Sequence, residues 1–324
     1  MELYVEPPGV GAKPLSPQWD TSLPMAVAIG MFDGVHIGHR SVIRQLRMLA
    51  SQRGLCAGAI TFAVHPATVV RPDSAPKLLT PLDAKVGLLG NTGLDRVAVL
   101  QFDLEHSQES AEAFVERVLC DGLNCRTVVV GEDFHFGKDR QGNVALLDAM
   151  GRDRGFDVVG IDLVSDGDQH AARPISSTRI RAAIGEGDVA EAHALLGRPH
   201  ELAGTVERGD QRGREWGFPT ANLVVASNLV VPANGIYAAW VLGAGDDPEP
   251  AAVYVGNRPT VYGESGQRVV EAHLLNFDGD LYDRELSVRF IARIRGDEAF
   301  ASFEDLVAQI RRDCDDARAI LESA

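Results

Sequence analysis

Residues 26–53 read AVAIG, MFDGVHIGH and RSVIRQLRMLASQR in turn, and this stretch decides the fold. The first run is short and apolar, which predicts a buried parallel strand. The third run repeats apolar residues at helical spacing and ends before Gly54, which predicts an amphipathic helix with a glycine C-cap. His36 and His39 therefore lie where a strand turns into a helix.

The turn between these two elements has the composition of a phosphate site. A helix start carries unpaired N–H groups and a partial positive charge, and Gly30, Gly34 and Gly38 let a phosphate approach the backbone. The two imidazoles can donate hydrogen bonds to charge that builds on a phosphoryl oxygen during displacement. Incidental histidines in an ordinary turn are the alternative, but the strand-to-helix context favours a phosphate site.

Composition places the chain among globular proteins and limits its partners. A length of 324 residues is long for one core, so two domains are expected. The net charge of −15 disfavours binding to nucleic acid. No apolar run reaches membrane-spanning length and the first residues lack the form of a signal peptide, so we expect a cytoplasmic protein with no membrane partner. The scattered cysteines argue against zinc or disulfides and favour reduced thiols; they are Cys56, Cys120, Cys125 and Cys314.

From residue 26 to about residue 164 the pattern alternates between strands and helices. Apolar runs such as LCAGAITF, RVAVLQF, TVVVG and FDVVGIDLV predict strands, and helical patterns lie around residues 107–119 and 144–154. This alternation predicts right-handed βαβ units and a parallel sheet with helices on both sides. Ligands of such sheets bind at the carboxyl ends of the strands. The Pro- and Gly-rich residues up to Leu23 are expected to lie over the surface.

Three further segments follow predicted strands of this sheet. AVHP, which contains His65, follows AITF, and GEDFHFG, which contains Asp133, follows TVVV with aromatics that suit a flat ring. The third segment enters a helix and combines hydroxyls with two arginines: Arg173, Ser176, Ser177, Thr178 and Arg181. Since arginine binds phosphate oxygens bidentately, we expect a second anion site there. A plain N-cap is a compatible alternative for the hydroxyls.

Beyond GRP at residues 197–199 the pattern changes to short strands. Runs such as ELAGTVERG, GIYAAWVL and RELSVRFIARI, separated by Gly, Pro, Asp and Asn, predict a small antiparallel barrel. The chain closes with the helix SFEDLVAQIRRDCDDARAIL, in which Ser302 and Asp305 form a capping box.

A second set of polar residues lies in the barrel region. The loop GDQRGREWG begins at Gly209 and contains Arg214, and the next strand carries Thr220 and Asn222. Residues two apart on a strand point the same way, and their oxygens suit a Mg²⁺ ion that accompanies nucleotide phosphates. Glu271 lies on a later strand and can take the proton of a substrate alcohol. Taken alone, Glu271 is more typical of a strand-surface residue.

These motifs together resemble a known family. GMFDGVHIGH resembles the G-x-F-D-G-x-H-x-G-H signature of the HxGH nucleotidyltransferases, most closely the FMN adenylyltransferase module of bacterial bifunctional FAD synthetases. GTVERGDQRGREWGFPTAN, with GIYA, GNRPT, VEAH and FDGDLY, looks like the riboflavin kinase module of the same enzymes. The matches occur in the family's order and cover nearly the whole chain from residue 26. The resemblance implies a Rossmann-like α/β HxGH nucleotidyltransferase domain with a parallel sheet over residues 1–185, followed by a small antiparallel β-barrel riboflavin kinase domain with a C-terminal helix over residues 186–324.

The resemblance also implies the chemistry: ATP and Mg²⁺ are used to phosphorylate riboflavin to FMN and to adenylylate FMN to FAD with release of pyrophosphate. It implies that His36 and His39 act in adenylyl transfer, that Glu271 is the base of phosphorylation, and that Thr220 and Asn222 hold the metal. Nucleotide and flavin binding is implied for Gly30, Phe32, Asp33, Gly34, Gly38, His65, Asp133, Arg173, Ser176, Ser177, Thr178, Arg181, Gly209, Arg214, Thr220 and Asn222. The sequence leaves a homo-oligomer open.

Some positions depart from the family pattern. Ala63 and Val64 stand where the family has an Asp-Pro pair. Tyr254 replaces an Asn, Asp283 replaces a glycine, and Ala299 replaces a lysine. Two alternatives therefore stay open: a riboflavin kinase with a degenerate adenylyltransferase domain, and a non-enzymatic flavin or nucleotide sensor. The complete set of kinase residues speaks against the sensor.

Overall fold

A six-stranded parallel sheet and a closed six-stranded barrel belong to the two compact units of the chain, Met1–Ser176 and Ser177–Ala324, in the computed structural model. The structure describes residues 1–9, 11, 13–161, 165–166, 173–209, 213, 216–257 and 268–323. Arg214, predicted to bind nucleotide, lies outside the described residues. Within the described ranges, no helix is both long and apolar enough to cross a membrane. The predicted fold class is confirmed.

The first unit alternates strands and helices. Its described strands are β1 Glu2–Val5, β2 Met25–Ile29, β3 Cys56–Phe62, β4 Arg96–Leu100, β5 Cys125–Gly131, β6 His135–Phe136, β7 Gly142–Asn143, β8 Asp157–Ile161, β9 Ser165–Asp166 and β10 Arg173–Pro174. Its described helices are α1 Ile37–Arg53, α2 Ala67–Val70, α3 Leu82–Gly90, α4 Ala111–Phe114, which continues as the π-helix Val115–Gly122, and α5 Val144–Arg154. Short 3₁₀ turns lie at Pro72–Ser74, His106–Gln108 and Lys138–Arg140.

The main sheet has the strand order β1-β4-β3-β2-β5-β8, and every neighbouring pair is parallel. On one side of β2, Met25 lies opposite Cys56 of β3, and on the other side Ala26 lies opposite Thr127 of β5. From β2 the chain moves outward through β3 and β4, and it then returns to the other side of β2 for β5 and β8. The winding therefore reverses beside β2, and such a reversal opens a crevice at the carboxyl ends of the strands.

Both faces of this sheet are buried, and strand side chains alternate between the two faces. In β2, Met25 and Val27 belong to one apolar cluster, whereas Ala26 and Ala28 belong to the other. Helices complete each cluster, with Val118, Leu119 and Leu147 in the first and Ile43, Leu46 and Leu89 in the second. Helices therefore cover both sides of the sheet, as predicted.

The expectation that the residues up to Leu23 lie over the surface is wrong. β1 pairs in parallel with β4 at the edge of the sheet, and Leu15 and Trp19 are buried. The strand has four residues, three of them exposed, so its sequence carries little strand pattern. Its partner lies far along the chain, and only tertiary pairing defines it.

The second unit begins with two helices, α6 Ser177–Glu186 and α7 Val189–Leu196, and Gly197 ends α7 in the left-handed conformation (φ 67°). The barrel closes in the order β11-β12-β15-β14-β13-β16 with antiparallel pairs throughout. Its strands are β11 His200–Glu207, β12 Ala221–Val225, β13 Gly235–Leu242, β14 Glu249–Asn257, β15 Arg268–Leu274 and β16 Glu285–Arg295. The predicted barrel is confirmed.

Helix α8, Phe303–Glu322, covers part of the barrel exterior. Ser302 caps the helix, since its hydroxyl accepts the backbone N–H of Asp305 at 3.1 Å. Ala317 and Leu321 belong to one apolar cluster with Ala238 of β13 and other barrel residues. Small side chains on the strands let the helix approach closely, so the helix forms one wall of the unit.

A buried ion cluster ties β1 to the helical layer of the first unit. The Arg117 guanidinium donates to Glu6 at 2.9 Å and to both carboxylate oxygens of Glu109 at 2.6 and 2.9 Å. All three side chains are at least nine-tenths buried. Glu6 also accepts the backbone N–H of Gln101 at the end of β4. The cluster stabilises the unpredicted strand because each buried charge has its partner.

We expect Arg117→Ala to lower the free energy of unfolding by about 3–5 kcal/mol, because it leaves two buried carboxylates unpaired. Urea unfolding followed by circular dichroism measures this change. Arg152→Ala is the matched control: Arg152 pairs with Asp148 at the surface, and its loss should cost less than about 0.5 kcal/mol. Equal effects of the two substitutions would contradict the stabilising role of the cluster.

Candidate active sites

The predicted phosphate-binding turn lies at the carboxyl edge of the parallel sheet, where the winding reverses. Residues 30–36 follow β2, and their neighbours on the two flanking strands are residues 63–65 after β3 and residues 132–134 after β5. All three segments were predicted from the sequence as strand-end segments. Because the strands are parallel, the three segments lie on the same edge of the sheet.

The turn after β2 adopts an unfavourable backbone conformation. Phe32 (φ 48°), Gly34 (φ 81°) and Val35 (φ 37°) all have positive φ, which costs about 1–3 kcal/mol for residues other than glycine. The buried carboxylate of Asp33 holds the turn in place, since it accepts the backbone N–H groups of Leu79 at 3.0 Å and Thr80 at 3.2 Å. Asp33 was predicted to bind nucleotide; its described contacts fix the loop.

The two histidines lie side by side at the start of α1. His36 is the N-cap of the helix, and its Nδ1 accepts the backbone N–H of His39 at 3.3 Å. This bond leaves the proton of the neutral His36 ring on Nε2. The His36 and His39 rings stack with centroids 3.6 Å apart, and Phe32 meets His39 edge to face at 5.2 Å.

Local electrostatics keep His39 neutral. Burial lowers the pKa of His39 well below its ordinary value of 6.5, and the neighbouring His36 and the Lys85 ammonium lower it further. Its Nδ1 is buried with no hydrogen-bond partner among the described residues. A neutral imidazole donates through one nitrogen only, so this ring can donate to a ligand without carrying charge of its own.

Lys85, on α3, is a residue of this site that the sequence analysis missed. Its side chain is 4% exposed, and its ammonium donates to the carbonyls of Phe62 at 2.7 Å and Met31 at 3.3 Å. Burial lowers the pKa of Lys85 from 10.5 to about 8, while the Asp33 carboxylate opposes this change. A signal was present in the sequence: Lys85 lies three residues after Leu82 and four before Leu89, on the apolar face of a helix.

The segment that ends the first unit comes close to this helix start. A Cβ on Gly38 would lie 3.1 Å from the His36 ring and 3.4 Å from the carbonyl oxygen of Ile175. A side chain at this position would be in tight contact with both groups, so glycine suits the close approach of the residues after β10. Arg173 and Ser176 lie on this segment, while Ser177, Thr178 and Arg181 lie on α6 in the second unit, so the predicted anion segment spans the boundary between the units.

The other two predicted residues of the first unit lie on the loops beside the turn. His65 accepts, through Nδ1, the backbone N–H of Ala67, the first residue of the short helix α2, at 3.1 Å. Asp133 is exposed, and its carbonyl oxygen lies 2.7 Å from His135 Nδ1. Phe134 and Phe136 stack at 5.3 Å, and Phe136 is buried in the apolar cluster on one face of the sheet, so its ring packs into the core.

In the second unit, two cavities share a wall. A cavity of about 480 Å³ is lined by Trp216, Phe218, Tyr254, Glu271 and residues of α8. A second cavity of about 310 Å³ is lined by Gly209 and residues 277–282. Thr220 and Asn222 line both cavities. A group that passes from a ligand in one cavity to a ligand in the other would pass beside these two side chains.

The barrel register brings the predicted kinase residues together. Glu271 of β15 lies directly opposite Asn222 of β12 on one side and Tyr254 of β14 on the other. The predicted Gly209 is close to this group, since a Cβ on it would lie 2.5 Å from the Asn222 amide. Gly213 of the same loop is confined by the backbone, because a Cβ there would overlap the carbonyl oxygen of Phe218. Neither position has room for a side chain.

Two departures from the family pattern have structural explanations. Tyr254 lies beside Glu271, and burial raises the pKa of its phenol, as do the Asp297 and Glu271 carboxylates. The hydroxyl therefore stays protonated and donates to Asp297, which the sequence analysis did not single out. Asp283 has φ 60°, a conformation that favours glycine but that Asp tolerates better than most residues.

The kinase residues also fit a hard cation. The described residues contain no group of three or more His, Cys, Asp or Glu side chains that could hold a metal by themselves. Thr220 and Asn222 instead present two neutral oxygens at the wall between the cavities. Such a site suits Mg²⁺, which takes one or two protein ligands and fills its shell with water and phosphate oxygens.

The architecture defines the class of protein. A parallel sheet whose winding reverses beside two stacked imidazoles offers a ligand site at its carboxyl edge, and the barrel adds a carboxylate, Glu271, in the larger of two cavities that share a wall. These features are typical of a phosphate-transfer enzyme with two sites. Family models agree: "FAD synthetase" matches residues 20–179 and "Riboflavin kinase" matches residues 196–321.

Known relatives name the particular family. The bifunctional riboflavin kinase/FMN adenylyltransferase of Escherichia coli (strain K12) is 38% identical over 287 residues, which cover 89% of this chain and 90% of that protein. The protein of the same name from Pseudomonas fluorescens is 39% identical over 90% of this chain and 91% of its own length. A crystal structure described as a macrolide-efflux protein from Streptococcus pneumoniae superposes with a TM-score of 0.84 at 28% identity, covering 98% of this chain and 99% of that one. The chain belongs to the bifunctional riboflavin kinase/FMN adenylyltransferase family.

We expect Asp33→Asn to lower the free energy of unfolding by about 1–3 kcal/mol, because an amide nitrogen would face backbone N–H groups that now have an acceptor. Urea unfolding measures the change. Asp73→Asn is the control, since Asp73 is exposed on a nearby 3₁₀ turn, and it should leave stability within about 0.5 kcal/mol of the wild type. An unchanged stability of Asp33→Asn would show that this carboxylate does not hold the turn.

Proposed function

We propose that this chain phosphorylates riboflavin to FMN in its barrel domain and adenylylates FMN to FAD in its parallel-sheet domain, with ATP as the phosphate and the adenylyl donor. One observation supports the kinase above all: Thr220 and Asn222 line both cavities, and Glu271 lies opposite Asn222. The stacked His36 and His39 at the reversal point of the sheet support the adenylyltransferase in the same way. The family supports both reactions.

Phosphorylation needs a base because its nucleophile is a neutral alcohol. The ribityl hydroxyl oxygen of riboflavin attacks the γ-phosphorus of ATP, the bond from that phosphorus to the β-phosphate oxygen breaks, and ADP leaves. We assign the hydroxyl proton to the Glu271 carboxylate. Thr220 and Asn222 would hold Mg²⁺, which neutralises phosphate charge when it is bound. Their position at the shared wall suits a phosphoryl group that crosses between the two cavities.

Adenylylation needs no base because its nucleophile is an anion. An FMN phosphate oxygen attacks the α-phosphorus of ATP, and pyrophosphate leaves as the bond to the β-phosphate oxygen breaks. Charge builds on the α-phosphate oxygens, and we assign His36 and His39 to donate hydrogen bonds to them. The low pKa of His39 means that it donates as a neutral ring at pH 7.

The remaining roles are proposals that follow from position. The adenylyltransferase activity is assigned to residues 1–185 and the kinase activity to residues 186–324, in a cytoplasmic protein whose partners are riboflavin, FMN and ATP. Nucleotide and flavin contacts are assigned to Gly30, Phe32, Asp33, Gly34, Gly38, His65, Asp133, Arg173, Ser176, Ser177, Thr178, Arg181, Gly209 and Arg214. Asp33 acts in this scheme through the loop conformation that it holds.

The function is tested by product analysis of the purified protein. Incubation with riboflavin and Mg-ATP should give FMN, FAD, ADP and pyrophosphate, and incubation with FMN and Mg-ATP should give FAD and pyrophosphate. FMN without FAD would favour the kinase with a degenerate first domain. Tight flavin binding without any turnover of ATP would favour the sensor.

Glu271→Gln should lower kcat for FMN formation by about 10²–10⁴-fold, because the amide cannot take the hydroxyl proton. The rate of FMN-to-FAD conversion should be unchanged in the same preparation, which serves as the control for folding. High-performance liquid chromatography of the flavins measures both rates. Equal loss of both reactions would refute the assignment of separate sites.

His36→Ala and His39→Ala should have the reverse effect. Each removes one donor to the reacting phosphate, at a cost of ~3 kcal/mol, or roughly a hundredfold in kcat for FAD formation. Riboflavin phosphorylation should continue at the wild-type rate, and the same chromatographic assay reports it. A wild-type yield of FAD from either variant would show that its imidazole does not act in the reaction.

A further inference from the structure

Lys85 is a buried charged residue of the first unit for which the described residues show no salt bridge. Its ammonium is 4% exposed and donates to two backbone carbonyls. Burying a cation is costly unless its surroundings repay the cost. The family motifs quoted above do not include Lys85, and the mechanism proposed above does not use it.

The two carbonyls identify what Lys85 holds. Phe62 is the last residue of β3, and Met31 is the second residue of the turn after β2. The Met31 carbonyl also accepts the Thr61 hydroxyl at 3.0 Å. Lys85 therefore connects the ends of two neighbouring strands, β2 and β3, at the edge of the sheet that carries the proposed phosphate site.

Lys85 also acts electrostatically on the site. Two groups interact with its charge: Asp33 in the turn, which favours the ammonium, and His39 on α1, whose protonation the ammonium opposes. His36 is the other group whose charge acts on His39. A cation near His39 adds positive potential at this edge of the sheet and opposes protonation of that ring.

We propose that Lys85 is a positioning residue of FMN adenylylation: its buried ammonium ties the ends of β2 and β3 together and places a fixed positive charge near His39 at this edge of the sheet. The inference rests on the proposed function of the first unit. Its role is electrostatic as well as structural, so charge at this position matters more than hydrogen bonding alone.

Two variants separate charge from hydrogen bonding. Lys85→Gln retains a donor for the carbonyls without charge, and Lys85→Arg retains the charge. We expect Lys85→Gln to lower kcat for FAD formation by about tenfold with the KM for ATP within about twofold, because an interaction of the transition state is lost. Lys85→Arg should retain most of kcat. Lys13→Met, at an exposed lysine of the same unit, is the control and should leave both parameters unchanged.

A titration of His39 provides a readout that a purely structural role would not move. Histidine-selective ¹³C labelling follows the ring of His39 by NMR from pH 5 to pH 8. In Lys85→Gln the pKa of His39 should rise toward its ordinary value because the opposing charge is gone, whereas in Lys85→Arg and Lys13→Met it should match the wild type. A wild-type titration and a wild-type kcat in Lys85→Gln would overturn the proposal.

The pH profile tests the wild-type chain directly, even if Lys85→Gln does not fold. Since Lys85 has a pKa of about 8, kcat for FAD formation should fall above pH 8 as the ammonium loses its proton. In Lys85→Arg the guanidinium stays charged, so this fall should disappear. The same alkaline fall in both proteins would contradict the proposal. Absence of FAD formation by the wild type would instead refute the proposed function.

Discussion

A buried carboxylate holds the turn on which the first site depends. Phe32 and Val35 adopt a backbone conformation that their own side chains disfavour, and Asp33 offsets this by accepting N–H groups from Leu79 and Thr80. The segment around residue 79 is far along the chain, so the turn forms only when the unit has folded. With the turn in place, His36 can cap α1 and stack on His39.

In the barrel, strand register rather than backbone strain brings the polar side chains of the second site together. Antiparallel pairing sets Asn222 opposite Glu271, and Glu271 opposite Tyr254, on three neighbouring strands. A shift of one residue would move the carboxylate to the other face of the barrel. Asn222 of β12 and Thr220, directly before that strand, line both cavities of this unit. Asn222 and Glu271 are thereby held at fixed positions on neighbouring strands.

Much of the fold and part of the site could be predicted from local pattern. The apolar run at residues 26–29, the helix that follows it and the six barrel strands all have strong periodicity, so their type is evident without tertiary information. The strand β1 and the helix α3 were missed, because a four-residue strand with three exposed residues and a helix with a lysine on its apolar face carry weak or conflicting patterns. Glu6, Arg117 and Lys85 were missed for the same reason: a charged residue predicts exposure unless its partner is known.

Residue type and short spacings were enough to predict the element types, the motif at the strand-to-helix turn and the polar residues on or beside β12 and β15. The folded unit was needed to show which nitrogen of His36 accepts a hydrogen bond, why the pKa of His39 is low and which carbonyls Lys85 binds. Those properties depend on burial and on contacts between residues distant in the chain. Protonation and charge at a site are set by its surroundings, and the surroundings exist only in the folded unit.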